Sequence, residues 1–407
     1  MNIKSMNLNK IINNYFLILF SIIPISIIVG PSVSLINILL IDICFIILIF
    51  IKRDFSFQNK EPLIYLIILY IYLIFNSYIS IDPQIGFSRN FGFFRIIVLF
   101  IAINYFFKEK IFQNKVFLIW MILVGFVLLD IYIESFTGKN ILGYQSEYNR
   151  RIVSFFKNEP IVGGFLNAFY LLIVGFLYEK LGEKYKSVLL LISLIIFISI
   201  FLTGERSNTI KALIGIMLFY TLYREFRLKQ KITVFLSGVI IFLTILLSSE
   251  YLKFRYVYQI KDTFLNDKKY FQLYKSGFEV FKDNMLFGVG NKNYRVATCS
   301  KKIKDENISK YLCTTHPHQT YFELLSEHGL FGSIIILFIF YKLVLSKLFF
   351  HFKSLNYIQI GTSIYITLIF LPLLPGGAFF SDYSITLIGL NLGLFYATNN
   401  KLNIFSK

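Results

Sequence analysis

The sequence predicts an all-α, polytopic membrane protein, and two observations carry that prediction. Hydrophobic residues make up 56% of the 407-residue chain, and the mean hydropathy of +0.65 lies far above that of a soluble domain. These residues also cluster in long runs rich in Ile, Leu and Phe. A run of about 20 apolar residues crosses a bilayer as a helix, and a helix satisfies its own backbone hydrogen bonds in lipid.

About twelve apolar runs are long enough to be transmembrane helices. Because the sequence contains no internal repeat and no low-complexity linker, we expect residues 1–407 to form a single membrane domain. The predicted spans are approximately 11–29, 34–51, 62–79, 91–107, 116–133, 160–178, 187–203, 208–223, 232–249, 330–347, 357–374 and 380–397.

The net charge of +18 is distributed by loop, which argues against a nucleic-acid partner. Cations concentrate in alternate loops, whereas the opposite short loops contain few of them. By the positive-inside rule, the basic loops and both chain ends are cytoplasmic. The basic loops contain Lys52, Arg53 and Lys60; Lys108, Lys110 and Lys115; Lys180, Lys184 and Lys186; Arg224, Arg227, Lys229 and Lys231; Lys342, Lys347 and Lys353; and Lys401 and Lys407.

The opposite, outer side carries two long loops, 134–159 and 250–317. The second loop lies between the ninth and tenth predicted spans, and together with 318–332 it forms the predicted active-site region. Its segment 270–287 repeats aromatic residues at helical spacing, which predicts an amphipathic helix at the membrane surface. These residues are Phe271, Tyr274, Phe278 and Phe281.

The same outer loop contains two of the three cysteines, Cys299 and Cys313. The predicted topology places them in an oxidising compartment, where disulfides persist. A disulfide between them and a pair of reduced thiols both remain open. Cys44 falls inside the second predicted span, where we expect it to pack as an inert side chain.

Several cations remain on the outer side, where the topology rule disfavours them. Arg206 is the sharpest case, because it lies in the short outer turn 203–208. A charge at a span end costs up to a few kcal/mol unless it pairs or reaches the headgroups. Arg206 has a local alternative, an ion pair with Glu205. Together the outer cations form a basin suited to phosphate, since guanidinium groups bind its oxygens in pairs. They include Arg89, Arg95, Arg150, Arg151, Arg206, Lys211, Arg255 and Arg295.

The segment 315–332 carries the most distinctive polar chemistry. Pro317 suits the first turn of a helix, which places His318 at a helix N-terminus. The positive end of the helix favours a neutral imidazole that accepts a proton. Alternatives are a metal-binding or purely structural pair of His316 with His318, and His328 as the functional imidazole. We expect no metal, since no further ligand cluster accompanies the pair.

These residues resemble the O-antigen ligase and polymerase superfamily of bacterial surface-polysaccharide glycosyltransferases. The resemblance covers most of the chain. One position departs from the family pattern, because Tyr270 stands where the family often has an arginine. The candidates to supply the missing charge are Lys268, Lys269, Arg255 and Arg295. The matching blocks are His318-Gln319 followed after nine residues by Gly329-x-x-Gly332, Thr203-Gly-Glu-Arg206-Ser, Arg151 to Pro160, and Phe287 to Tyr294.

The resemblance implies a GT-C-type fold in the bacterial inner membrane with a periplasmic active site. It implies metal-independent, inverting transfer, without a cofactor, from an undecaprenyl-pyrophosphate-linked glycan to lipid A-core or to a growing glycan. His318 is then the general base, and Arg206 stabilises the leaving pyrophosphate. Substrate-binding candidates are Arg151, Arg255, Arg295, Lys269, Gln319 and Arg89, and Tyr270, Tyr274 and Tyr294 are candidates for stacking on sugars.

Three functions remain open at this point. A ligase and a repeat-unit polymerase share the donor and differ in the acceptor, and the spacing of the histidine motif favours the ligase. A polysaccharide transporter or flippase is the non-enzyme alternative. Transporters more often show repeated halves and charges at mid-membrane depth, whereas the charges here lie near the outer ends of the predicted spans.

Overall fold

The computed structural model describes residues 3–52, 56–145, 151–157, 159–222, 227–262, 269–299 and 311–406. Every regular element in these ranges is helical, as predicted. The helices before the long outer loop are α1 (Ile3–Ser21), α2 (Ile23–Val29), α3 (Pro31–Lys52), α4 (Glu61–Tyr78), α5 (Pro83–Asn90), α6 (Phe94–Phe106), α7 (Lys110–Thr137), α8 (Val162–Leu181), α9 (Lys186–Leu202), α10 (Arg206–Leu222) and α11 (Leu228–Ser248).

The outer loop itself is largely helical, and four helices follow it. Two π-helical turns, Phe254–Tyr258 and Tyr341–Leu345, each connect two consecutive α-helices. The remaining helices are α12 (Glu250–Lys253), α13 (Gln259–Asp262), α14 (Lys269–Asp283), α15 (Tyr294–Cys299), α16 (Thr320–Phe340), α17 (Ser346–His351), α18 (Tyr357–Ile369) and α19 (Asp382–Ala397).

Each predicted span contains a helix, but the helices differ in length. Within the described ranges, eight stretches are long and apolar enough to cross a membrane, so the chain is a multi-pass membrane protein. The other four predicted spans correspond to α9, α10, α18 and α19, which have only 17, 17, 13 and 16 residues. The eight stretches are Lys10–Val29, Pro31–Lys52, Glu61–Tyr78, Pro83–Phe106, Lys110–Thr137, Val162–Leu181, Leu228–Ser248 and Thr320–Ser354.

The predicted basic loops meet at one end of the bundle. There the Lys347 ammonium lies 2.6 Å from the Glu61 carboxylate. The Lys52 ammonium donates to the Tyr105 hydroxyl at 3.2 Å, and Lys108 lies over the same ring. At the opposite end, the turn after α4 meets the outer loop, where the Ile81 N–H donates to the Val289 carbonyl at 3.1 Å.

Helix α8 is the central helix and sets the position of the site. It packs against α9, α10 and α18, and 15 of its 20 residues are buried. Its first turn points toward the outer-loop end, where it meets the turn between α9 and α10. The polar residues of that turn therefore lie over the buried centre of the bundle.

The predicted amphipathic helix is α14, which ends at Asp283 rather than at residue 287. One face packs inward through the buried residues Leu273 and Val280. Phe271 and Phe278, on the predicted aromatic face, are exposed instead. The predicted aromatic face is therefore only partly exposed, since Tyr274 on the same face stacks on Phe322.

The chain after α14 packs directly on α16. The Val289 and Gly290 N–H groups donate to the carbonyls of Ser326 and Glu327, each at 2.9 Å. Gly329 interrupts α16 with a φ of 63°, and this break brings the two backbones together. The outer loop is thus joined to the helix that follows the histidine segment.

Candidate functional site

Most of the polar residues that the sequence predicted for the site line one cavity of about 780 Å³. Its polar wall contains the basic residues Arg95, Arg151, Lys157, Arg206, Lys211 and Arg255, the imidazoles of His316 and His318, and the acidic residues Glu159, Glu205 and Asp382. Its apolar wall contains Ile27, Ile28, Val29, Leu35, Leu368 and Ile388. The cavity therefore presents a basic surface and a hydrocarbon surface to the same ligand.

The short turn before α10 presents Arg206 to this cavity. The Glu205 carboxylate does not pair with Arg206, because it accepts hydrogen bonds from the Gly163 N–H at 2.7 Å and from the Asn208 amide at 2.6 Å. No hydrogen bond or ion pair joins Arg206 to another described residue. The alternative of a local pair with Glu205 is therefore wrong, and the guanidinium remains available to a ligand.

Glu205 itself is almost fully buried. Burial raises the pKa of its carboxyl to about 7, although the Gly163 N–H, the Asn208 amide and the nearby Arg151 charge act in the opposite direction. A carboxylate at the start of α8 also benefits from the positive end of the helix. The Glu205 carboxyl thus changes charge near neutral pH.

Two buried carboxylates hold the loop that carries Arg151. Glu134 accepts hydrogen bonds from the backbone N–H groups of Val153 and Ser154, the second at 2.6 Å. Asp130 accepts one from the Ser154 hydroxyl at 2.7 Å. Neither carboxylate was identified from the sequence as a site residue. The sequence feature that could have pointed to them is their spacing at i and i+4 in the last turns of an otherwise apolar helix.

Arg255 joins the outer loop to the Arg206 turn. Its Nη2 donates to the Gly204 carbonyl at 2.9 Å, and its Nη1 donates to the side chain of Gln259. Burial and the neighbouring charge of Arg151 lower the pKa of its guanidinium, with a smaller contribution from Arg206. Arg151, Arg206 and Arg255 therefore act on one another electrostatically.

The cavity wall also bears on the position where this chain departs from the family pattern. Tyr270 lines the cavity at the position where the family often has an arginine. Among the candidate replacements, Arg255 lines the same cavity, whereas Arg295 lies elsewhere. Lys268, the side chain of Lys269, and Arg150 lie outside the part of the chain that the structure describes.

His318 lies just before helix α16 rather than inside its first turn. The helix begins at Thr320, and Gln319 caps it by accepting a hydrogen bond from the Phe322 N–H at 2.9 Å. The predicted helical position of Pro317 is therefore wrong. His318 adopts a φ of 59°, and its carbonyl accepts a hydrogen bond from the Gly376 N–H at 2.8 Å. These contacts hold the residue at the cavity wall.

His316 and His318 form a ring pair, with centroids 4.0 Å apart. Burial lowers the pKa of the His316 imidazole to about 3, and the charges of His318 and Lys292 act in the same direction. His316 is therefore neutral at physiological pH. Among the described residues, no group of three His, Cys, Asp or Glu side chains is placed to hold a metal ion.

The polar side chains that follow His318 on α16 face the protein interior. Gln319 is buried as the helix cap, and the Glu323 carboxylate accepts a hydrogen bond from the Phe379 N–H at 2.9 Å. His328 is fully buried, with its Nδ1 3.2 Å from the Tyr72 hydroxyl. None of these three side chains lines the cavity, so Gln319 has a structural contact in place of the predicted substrate contact.

Arg89 and Arg295 line a second recess of about 760 Å³, not the cavity that contains His318. The two spaces share His316 and Ser381. The Asp382 carboxylate lies on the cavity side and pairs with Arg89 at 2.6 Å and with Arg95 at 2.5 Å. The structure thus divides the predicted cationic basin into two parts.

Two further predictions concern the outer loop. Cys299 and Cys313 form a disulfide, which settles the alternative left open by the sequence. Tyr294 is fully buried, and its hydroxyl lies 2.8 Å from that of Ser276, so it cannot stack on a sugar. Tyr274 stacks on Phe322, which leaves Tyr270 as the tyrosine of this group in the cavity wall.

Comparison with known proteins adds one finding. The O-antigen ligase family model matches residues 191–337, a segment that contains both the Arg206 turn and the histidine segment. This match supports membership of the O-antigen ligase superfamily. No curated protein matches the chain.

Proposed function

We propose that this multi-pass membrane protein, with its O-antigen ligase segment, is a metal-independent, inverting glycosyltransferase. Its donor is a glycan on undecaprenyl pyrophosphate, and its acceptor is a sugar hydroxyl of lipid A-core at the periplasmic face of the inner membrane. The observation that carries the proposal is the single cavity that contains Arg151, Arg206, Arg255 and His318.

The two walls of the cavity suit the two parts of such a donor. A pyrophosphate carries several negative charges, and guanidinium groups bind its oxygens through paired hydrogen bonds. Arg206 has no competing hydrogen bond or ion pair among the described residues. The apolar wall formed by residues 27–35 of α2 and α3 is available to the isoprenoid chain. A water-soluble sugar nucleotide would leave that wall without a partner.

The chemistry follows from the groups around the donor. The His318 imidazole takes the proton of the acceptor hydroxyl while the hydroxyl oxygen forms a bond to the anomeric carbon. The bond from that carbon to the pyrophosphate oxygen breaks, and its electron pair leaves on the pyrophosphate. The guanidinium groups stabilise that charge as it develops. A single displacement inverts the anomeric configuration.

His316 supports this role for its neighbour. Its ring remains neutral because burial lowers its pKa to about 3. A neutral ring at a centroid distance of 4.0 Å adds no positive charge that would oppose proton uptake by His318. We therefore assign His316 a positioning role and His318 the proton transfer.

A deletion strain distinguishes the functions that share these residues. A ligase deletion leaves bare lipid A-core on a lipopolysaccharide gel, with glycan accumulating on its carrier. A polymerase deletion leaves core with one repeat unit. A flippase deletion also leaves bare core, but the lipid-linked glycan stays on the cytoplasmic side, where an impermeant glycosidase added to spheroplasts does not reach it.

Complementation then tests the site. His318→Ala is expected to restore no ligated glycan, because the acceptor hydroxyl loses its base. His351→Ala is the control, since His351 is an exposed imidazole on α17, outside both the cavity and the recess. Wild-type ligation by His318→Ala at equal protein level would refute the assignment.

A further inference from the structure

We propose that the second recess binds the acceptor through an anionic group, a phosphate or a carboxylate on the acceptor glycan. This inference rests on the proposed function, because it assigns the second substrate of the same reaction. The recess measures about 760 Å³, a volume suited to a few sugar rings. It is lined by Arg89, Lys292 and Arg295 and by no acidic residue among the described ones.

Lys292 and Arg295 give the recess its available positive charge. Arg89 is paired with the Asp382 carboxylate at 2.6 Å, a carboxylate that it shares with Arg95. Neither Lys292 nor Arg295 forms an ion pair with another described residue. Two cations without an ion pair in one concave surface attract an anion and bind it through charge-assisted hydrogen bonds; the charge of Lys292 also acts on the buried carboxyl groups of Glu323 and Glu327.

The loop that carries Lys292 is held from both sides. The Asn291 N–H donates to the Asn76 side-chain oxygen at 2.8 Å, and the Asn293 side-chain oxygen accepts from the Asp82 N–H at 2.7 Å. Both asparagines are buried, and Lys292 between them has a φ of 62°. The backbone is therefore fixed in an unusual conformation that presents the lysine at the recess.

The wall with Arg295 is also fixed to the histidine segment. Arg295 belongs to α15, whose last residue, Cys299, lines the recess and forms the disulfide with Cys313. Residue 313 lies three positions before His316, which lines both the recess and the cavity. The covalent bond thus joins the cationic wall to the chain that carries the proposed base.

The shared wall explains how two substrates meet. His316 faces both spaces, and its ring is paired with that of His318. An acceptor anchored in the recess therefore has its hydroxyl directed past His316 toward the base. The donor occupies the cavity from the side of the apolar wall, so the substrates approach from different directions.

The test uses the full-length enzyme in proteoliposomes with saturating donor and two acceptors. One acceptor is a phosphorylated, acidic lipid A-core, and the other is the same core after dephosphorylation and carboxyl reduction. Removing one kind of group at a time distinguishes phosphate from carboxylate. Arg295→Gln and Lys292→Gln are each expected to raise KM for the charged core about tenfold, the loss expected for one charge-assisted hydrogen bond.

The other kinetic parameters are expected to remain unchanged. KM for the donor, and transfer to the neutral core, should match the wild type, which also shows that the variants are folded. Lys282→Gln is the matched control, because Lys282 is an exposed lysine of the outer loop outside the recess. The inference is overturned if wild-type KM is equal for charged and neutral cores. It is also overturned if the variants raise KM for the donor. The same holds if KM for the core depends on the charge of the vesicle lipids and not on the charge of the core.

A binding measurement keeps this inference separate from the proposed function. Without donor, fluorescently labelled core oligosaccharide is titrated onto the detergent-solubilised protein in its charged and neutral forms. Tighter binding of the charged form, lost in Arg295→Gln, supports the recess even if no transfer occurs. Equal binding of both forms overturns it, whereas absence of transfer with charge-dependent binding overturns the proposed function alone.

Discussion

The Glu205 carboxylate accepts a 2.7 Å hydrogen bond from the backbone N–H of Gly163. This contact joins the turn before α10 to the first turn of the central helix α8. It also occupies the carboxylate that stands next to Arg206 in the sequence. The Arg206 guanidinium is available to a ligand in the cavity because the Glu205 carboxylate already has its hydrogen-bond partners.

The titration of Glu205 gives a pH prediction. Its pKa in the folded protein is about 7, above the ordinary value of 4.5, because of burial. The stability contributed by the protonated form is fully present below pH 4.5 and is lost as the pH rises through about 7. We expect the Tm of the wild type to fall relative to that of Glu205→Gln between pH 5 and pH 8, measured by thermal unfolding in detergent.

Glu159→Gln serves as the control for this experiment. Glu159 lines the same cavity but is exposed, so its replacement should leave the pH trend of the wild type intact. A Glu205→Gln variant with the same trend as the wild type would contradict the burial of a titrating carboxyl at this position.

Replacement of Arg206 tests the stabilisation of the leaving group. Arg206→Ala should lower kcat for glycan transfer by about 10²- to 10³-fold, the loss that follows removal of one fixed electrostatic donor. Arg206→Lys should recover only part of it, because an ammonium lacks the paired donors of a guanidinium. Transfer is measured in proteoliposomes. Lys229→Ala, an exposed cation at the start of α11, is the control and should behave as the wild type.

The anchoring of the Arg151 loop predicts a positioning effect. Glu134→Ala removes the acceptor of the Val153 and Ser154 N–H groups and leaves both buried donors without a partner. We expect a higher KM for the donor and a lower Tm. Glu134→Gln, which retains one oxygen acceptor, should lie between this variant and the wild type.

The matched control for that experiment is the residue that precedes the same helix. Glu109 is exposed next to the opposite end of α7, so Glu109→Ala should change neither KM nor Tm. Equal donor KM for Glu134→Ala and the wild type would show that the loop does not depend on this carboxylate.

The close packing of the outer loop on α16 predicts a folding effect. A Cβ at Gly288 would lie 2.4 Å from the Glu327 carbonyl carbon, and Gly288 also has a φ of 69°. Gly288→Ala should therefore reduce the amount of folded protein and lower Tm. Gly125→Ala is the control, because a Cβ there meets nothing within 4 Å and the residue lies inside helix α7. Folded yield is measured by size-exclusion fluorescence, and a wild-type profile for Gly288→Ala would argue against the close contact.

The sequence was most reliable where a single physical effect dominates. Bilayer thickness and backbone satisfaction favour apolar helices, and each predicted span does contain a helix, although only eight of the described stretches reach membrane-spanning length. The positive-inside rule singled out Arg206, Arg151 and Arg255 as cations on the disfavoured outer side, and the structure places all three along one cavity. His318 was found through its motif and lies in the same cavity as these arginines.

Other features depended on which surfaces meet, and no local pattern contains that information. The sequence could not separate Arg89 and Arg295 from the other cations, because that separation depends on how α5 and α15 pack beside the recess rather than beside the cavity. The sequence also could not show that Gln319 and Glu323 face inward. A polar helical face has the same sequence pattern whether its side chains contact water or backbone N–H groups. The length of α18 is a different case, because Pro372 follows it closely: the helix ends at Ile369 although the apolar run continues to Leu374.

The amino-acid sequence by itself determined that the chain is a helical membrane protein, and it identified the residue types suited to phosphate binding and proton transfer. Only the tertiary structure decided which of those residues share a wall. Hydropathy and charge determine whether each residue, taken by itself, prefers water or lipid. A binding site instead depends on distances between helices remote in sequence, which the packing of α8, α16 and α19 sets.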